Sequence, residues 1–108
     1  MRLINVYICR SNGYYTQFYA EGHANYAERG KDIVCAAVSA LTLTLYNSLM
    51  ELSDVPVVEK QYACQKNPNL LIPYPSDKTD LLISQYKIGI EGVQEAFPNY
   101  VTLHLETS

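Results

Sequence analysis

The chain has 108 residues, 48% hydrophobic and 18% charged, with a net charge of −3 and a pI near 5.2. That length predicts one domain over residues 1–108 and excludes a second core, and the composition excludes disorder. The acidic balance argues against a protein that tracks phosphates, so no direct nucleic-acid partner is expected.

Three cysteines, Cys9, Cys35 and Cys64, form no CxxC pair, and their odd number leaves at least one thiol unpaired. The opening Met1-Arg2-Leu3-Ile4-Asn5-Val6 alternates like a strand and lacks the continuous apolar centre of a signal peptide. No run is read as reaching the eighteen or so apolar residues of a membrane span. A reducing, cytoplasmic setting with no membrane contact is therefore expected.

Ile4, Val6 and Ile8 alternate with Asn5, Tyr7 and Cys9, which predicts a half-buried first strand. Asn12-Gly13 follows, and this pair favours a hairpin because both residues tolerate positive φ. A second strand is predicted from about Tyr14 to Glu21, with Thr16, Phe18 and Ala20 on one face. The segment from Gly22 to Lys31 then reads as a loop, bracketed by Gly22 and Gly30 and carrying His23, Ala24 and Tyr26. Loops of that length in a compact domain are often functional.

Asp32 is a predicted N-cap, its carboxylate accepting N–H groups of the first helical turn. The helix then runs to about Leu52, and Cys35 is its third residue. Val34, Val38, Leu41, Leu45, Leu49 and Leu52 form the predicted buried stripe; Cys35, Ser39, Thr42 and Tyr46 form a second stripe of small or mildly polar side chains. Apolar residues nearly surround this helix, which predicts cover on more than one side, the second cover being another subunit.

Val55 to Gln65 reads as a third strand, pushed toward an edge by Pro56. Lys66-Asn67-Pro68-Asn69 is a predicted turn and Leu70 to Tyr74 a short strand. Ser76 should cap a second helix whose core face is Leu82, Tyr86, Ile90, Val93 and Phe97. Gly89 and Gly92 interrupt it, each costing about 1 kcal/mol relative to alanine unless close packing requires them. Pro98 ends it, and a last strand from Tyr100 to Leu105 turns Val101, Leu103 and Leu105 inward. The order ββα-ββ-αβ predicts an α+β fold, a single layer of two helices packed on a four- to five-stranded sheet.

A thiol at a helix start meets the positive end of the macrodipole, which favours the nucleophilic thiolate. His23, twelve residues before Cys35, supplies an imidazole able to take the thiol proton and return it to a leaving group. Oxyanion donors are expected from free N–H groups at the helix start or from the glycine-rich loop. Ser39, one turn beyond Cys35, either bonds the site or bonds back to the Cys35 carbonyl. Asp32 is expected mainly to cap, with orientation of the imidazole second, since a nearby carboxylate also opposes the thiolate.

The residues alone leave the plainer readings open. Cys35 within Val-Cys-Ala-Ala also suits a small apolar packer, and His23 a solvated loop residue. Cys9 and Cys64 are predicted structural, His104 is placed on an exposed polar strand face, and most of the ten tyrosines are half-buried sheet residues. Tyr26 in the loop is positioned to contact substrate. No metal-ligand spacing and no phosphate loop occur, so neither metal nor cofactor is expected.

The segment Glu21-Gly22-His23-Ala24 … Gly30-Lys31-Asp32-Ile33-Val34-Cys35-Ala36-Ala37-Val38-Ser39 resembles the signature of the ribosomal-processing cysteine protease family, Prp. The resemblance extends over essentially the whole chain. It implies Cys35 as nucleophile and His23 as general base and acid, with Asp32 and Ser39 supporting. Gly22 and Gly30 match glycines that free the loop to approach substrate.

The implied activity is endopeptidase removal of a short N-terminal extension from a bacterial large-subunit ribosomal protein, number twenty-seven, during ribosome biogenesis. The resemblance also implies a homodimer. On this reading the loop from Gly22 to Lys31 closes over substrate and brings His23 to Cys35. The alternatives are a non-enzymatic ribosome-associated assembly or binding module, and a thiol redox sensor built on Cys35.

Overall fold

The computed structural model describes residues 4–21, 29–54, 56, 58–60 and 69–107. Its elements are β1 (Ile4–Ser11), β2 (Tyr14–Glu21), α1 (Arg29–Leu52), β3 (Val58–Lys60), β4 (Asn69–Leu71), α2 (Asp77–Ala96) and β5 (Val101–Thr107). They form a five-stranded sheet in the order β3-β4-β2-β1-β5, with β5 parallel to β1 and the other neighbours antiparallel. The α+β class and the ββα-ββ-αβ order are as the sequence predicts.

The hairpin turns where expected. Asn12 and Gly13 hold φ of 55° and 85°, the paired left-handed conformations that match the twist of the flanking strands. Ile4, Val6 and Ile8 of β1 and Phe18 and Ala20 of β2 are buried under the helices. Tyr7, Cys9 and Tyr19, at alternate positions, face the other way and are half-buried.

Ser76 caps α2: its hydroxyl accepts the Thr79 N–H at 3.3 Å, and the Thr79 hydroxyl oxygen accepts the Ser76 N–H at 2.8 Å. This is a capping box with threonine in the place usually taken by a longer acidic side chain. The Asp80 carboxylate also accepts the Tyr15 N–H at 3.0 Å, which ties the start of α2 to the start of β2. Ile83, Tyr86 and Ile90 are the buried apolar residues of α2, while Leu82, Val93 and Phe97 pack at the margin of the core.

Several expectations are corrected. The buried stripe of α1 is Val34, Val38, Thr42, Leu45 and Leu49, continuing to Ser53. Leu41 is only half-buried and Leu52 is 60% exposed, because Leu49 and Ser53 occupy the core-facing positions at that end. By length and composition Ile33–Leu52 matches a membrane-spanning helix, contrary to the sequence reading; here its buried stripe packs into the core.

β3 is described only over Val58–Lys60 and is an edge strand, as Pro56 suggested. β4 stops at Leu71 rather than Tyr74; the Ile72 N–H still reaches the Thr16 carbonyl at 2.8 Å, but Pro73 has no N–H to continue. Leu105 is 56% exposed because β5 is a sheet edge with a strand on one side only. A Cβ on Gly89 would meet Leu41 side-chain carbons at 3.1 and 3.3 Å, whereas one on Gly92 would meet nothing within 4 Å. Close packing therefore explains the first glycine and not the second. Residues 61–68, with Cys64 and most of the predicted turn, lie outside the described residues.

Candidate active site

The helix carrying Cys35 begins at Arg29, three residues before Asp32. Asp32 is thus the fourth residue of α1 and not its N-cap, and Cys35 is the seventh rather than the third. Gly30 and Lys31 belong to the helix, not to the loop. Arginine and lysine are good helix formers, and a glycine costs least at a helix end where few intrahelical bonds depend on it.

The shift changes the electrostatics. The four N–H groups without an intrahelical partner belong to the first turn, and the Cys35 N–H lies beyond them. The field of the macrodipole falls off within that turn. The macrodipole of the helix start therefore acts on Cys35 less strongly than the sequence reading required.

Cys35 is half-buried, flanked in the chain by fully buried Val34 and exposed Ala36, and it packs at the margin of the core. A thiol so placed has one side held by packing and the other accessible. Ser39, one turn on, is also half-buried. Its hydroxyl makes no hydrogen bond among the described residues; back-bonding to the helix is done one turn later, where the Thr42 hydroxyl donates to the Val38 carbonyl at 2.7 Å. Ser39 is thus not tied back to the Cys35 carbonyl as Thr42 is to that of Val38.

Thr42 anchors this stripe. It is fully buried, and its hydroxyl lies 2.9 Å from that of Tyr86 on α2. Because the Thr42 hydrogen is given to Val38, Tyr86 is the donor. This pair fixes the rotation of α1 about its axis and with it the direction of Cys35, two turns nearer the N-terminus. The sequence reading placed Thr42 on the second, mildly polar stripe of α1 and Tyr86 on the core face of α2, with no signal that their hydroxyls meet.

His23, with Gly22, Ala24 and Tyr26, lies outside the described residues. The chain on both sides is described: β2 ends at Glu21 and α1 begins at Arg29. His104, the other histidine, is not an exposed residue as expected. Its ring is half-buried, stacked on Tyr7 with centroids 4.6 Å apart, and its Nε2 lies 2.9 Å from the Asn5 Oδ1. It lies on the sheet face away from the helices, so it is no partner for Cys35. Cys9 is on that same face, where burial first and Glu106 second push its thiol pKa up.

A groove of about 330 Å³ lies between α1 and α2, lined by Leu41, Leu45, Leu82 and Tyr86 among others. Neither Cys35 nor Ser39 lines it.

Comparison with known proteins bears on the family of the chain. The model of a family described as cysteine protease Prp matches residues 3–102. The ribosomal processing cysteine protease Prp of Bacillus subtilis is 31% identical over 85 residues, covering 74% of this chain and 76% of that one. The crystal structure of SMU.848 from Streptococcus mutans superposes with a TM-score of 0.80 at 30% identity, covering 98% and 96% of the two chains. An essential ribosomal processing protease Prp from S. aureus, solved in complex with a substrate peptide, has the same fold: TM-score 0.81 at 20% identity, covering 96% and 100%.

Proposed function

We propose, because this chain belongs to the cysteine protease Prp family, that it is the endopeptidase that removes the N-terminal extension of a bacterial large-subunit ribosomal protein, number twenty-seven. Cysteine proteolysis is the chemistry of the family; the substrate and the site residues are our reading. The observation that carries it is the family match over residues 3–102, which contains the whole Gly22-His23 … Asp32 … Cys35 … Ser39 segment.

In this mechanism the His23 imidazole takes the Cys35 thiol proton, and the sulfur attacks the scissile carbonyl. The C–N bond breaks as the imidazolium gives that proton to the departing amine, leaving a thioester on Cys35. Water, deprotonated by His23, hydrolyses the thioester and restores the thiol. Asp32 orients the imidazole and Ser39 polarises the site. Gly22 lets the substrate backbone approach, and Ala24 and Tyr26 line it.

The reading includes a cytoplasmic homodimer. What supports the second subunit is the apolar surface left on the helices: Leu43 is 52% exposed, Ile88 69% and Leu81 71%. A pattern of that kind favours association over isolated life in water.

The test is cleavage of the extended ribosomal protein, followed by mass spectrometry. Wild type should shorten it, while Cys35→Ala and His23→Ala leave it intact. Equal, intact substrate in all three would sink the protease reading in favour of a non-enzymatic assembly module.

A further inference from the structure

Both helices lie on one face of the sheet, and the registers show what the opposite face presents. Tyr7 is paired with Tyr19 on one side and with His104 on the other. Adjacent strands are about 4.8 Å apart, and the three rings use that spacing to stack. Tyr7 and Tyr19 have centroids 4.6 Å apart and planes 12° apart; Tyr7 and His104 have 4.6 Å and 14°. The result is an aromatic ridge across three strands.

One carboxylate lies on each side of the ridge. Glu21 is paired with Asn5 in the row before it, and Glu106 with Cys9 in the row after it. The Tyr7 hydroxyl donates to the Glu21 Oε1 at 2.9 Å, which leaves the carboxylate further acceptor capacity. Both acids act on the same place: the Tyr7 pKa is raised, chiefly by its bond to Glu21, with Glu106 among the further causes. The basic residue of β1 does not answer them. The Arg10 guanidinium lies 5.0 Å from the centre of the Tyr15 ring, and its Nε donates to the Gly13 carbonyl at 3.4 Å.

We propose that this face binds an extended peptide segment carrying two lysine or arginine side chains, Glu21 and Glu106 taking one cation each across the aromatic ridge. Phosphates would meet two carboxylates here, so the face does not suit nucleic acid. The rings give the methylene stems of lysine or arginine an apolar bed. The geometry also sets a spacing. Two rows along the strands and two strands across separate the backbones of Glu21 and Glu106 by roughly 16 Å, about five residues of extended chain.

The test is titration of the ¹⁵N-labelled protein with a short glycine-serine peptide bearing two arginines roughly five positions apart. Its twins carry the arginines side by side, or glutamates in their place. Amide signals of Asn5, Tyr7, Cys9 and His104 should shift with the spaced arginine peptide, less with the adjacent pair, and not with the glutamate peptide. Glu21→Gln/Glu106→Gln should weaken binding about fivefold, as two lost exposed ion pairs imply. Glu91→Gln/Glu95→Gln, which removes the same charge from the exposed face of α2, should leave it unchanged. Equal weakening by both variants, no binding of the spaced peptide, or shifts centred on the helices would overturn the proposal. So would concentration-dependent shifts of these same residues without peptide, because a second copy would then be the occupant.

Discussion

The hydroxyl of Tyr86 donates to that of Thr42 at 2.9 Å, and Thr42 passes its own hydrogen to the Val38 carbonyl. The relay crosses the buried seam between the two helices, so its two ends are not equivalent on mutation. Tyr86→Phe removes a donor and leaves Thr42 still bonded to Val38, a loss of about 1 kcal/mol. Thr42→Val strands a tyrosine hydroxyl in the core and should cost about 1–3 kcal/mol. Urea denaturation of the two variants should show Thr42→Val as the less stable.

The same tyrosine predicts an alkaline limit. Burial, partly opposed by the bond to Thr42, pushes its pKa from 10.0 up to about 12. The folded value lies above the unfolded one, so the unfolded chain gives up its proton first as pH rises. The contribution of Tyr86 is present in full below pH 10.0 and is lost as pH climbs through about 12. Subtracting the stability of Tyr86→Phe from that of wild type across this range should give a difference that declines with pH. A flat difference would show that the hydroxyl is not desolvated in the folded state.

The two interior glycines of α2 should respond differently to alanine. At Gly92 the new methyl meets no neighbour, so Gly92→Ala should gain about 1 kcal/mol from helix propensity. At Gly89 the methyl presses on the flexible end of Leu41 at 3.1 and 3.3 Å. The same propensity gain is then partly spent on moving Leu41, and Gly89→Ala should fall short of Gly92→Ala. Gly89→Leu has no room and should destabilise. Midpoints of denaturant unfolding for the three variants check the order.

What the sequence made legible was local. Asn12-Gly13 and Ser76 announced a turn and a cap because each acts on backbone within three residues of itself. The start of α1 was not legible, since Asp32 satisfies the composition of a cap while the helix begins at Arg29. The aromatic ridge was hidden for a different reason. It depends on Tyr7 pairing with His104, a parallel register between strands at opposite ends of the chain. Period-two alternation says which residues share a face of one strand but not which strand lies beside it. The Cys35 stripe was legible as a spacing, and its anchoring by Tyr86 was not, because that bond joins two helices.

The corrected helix start gives Asp32 a sharper test. A true N-cap replaced by alanine loses about 1–2 kcal/mol of stability. A carboxylate in the first turn contributes only about 0.3–1 kcal/mol through the macrodipole. Asp32→Ala should therefore unfold less than about 1 kcal/mol more easily than wild type. If Asp32 orients His23, the same variant should lose at least about tenfold in kcat with KM unchanged, since orientation matters in the transition state and not in substrate binding. Asp32→Asn, which keeps the shape and removes the charge, should lose only that macrodipole contribution of about 0.3–1 kcal/mol and still lose most of kcat, whereas wild-type turnover in Asp32→Asn would leave His23 oriented by some other group.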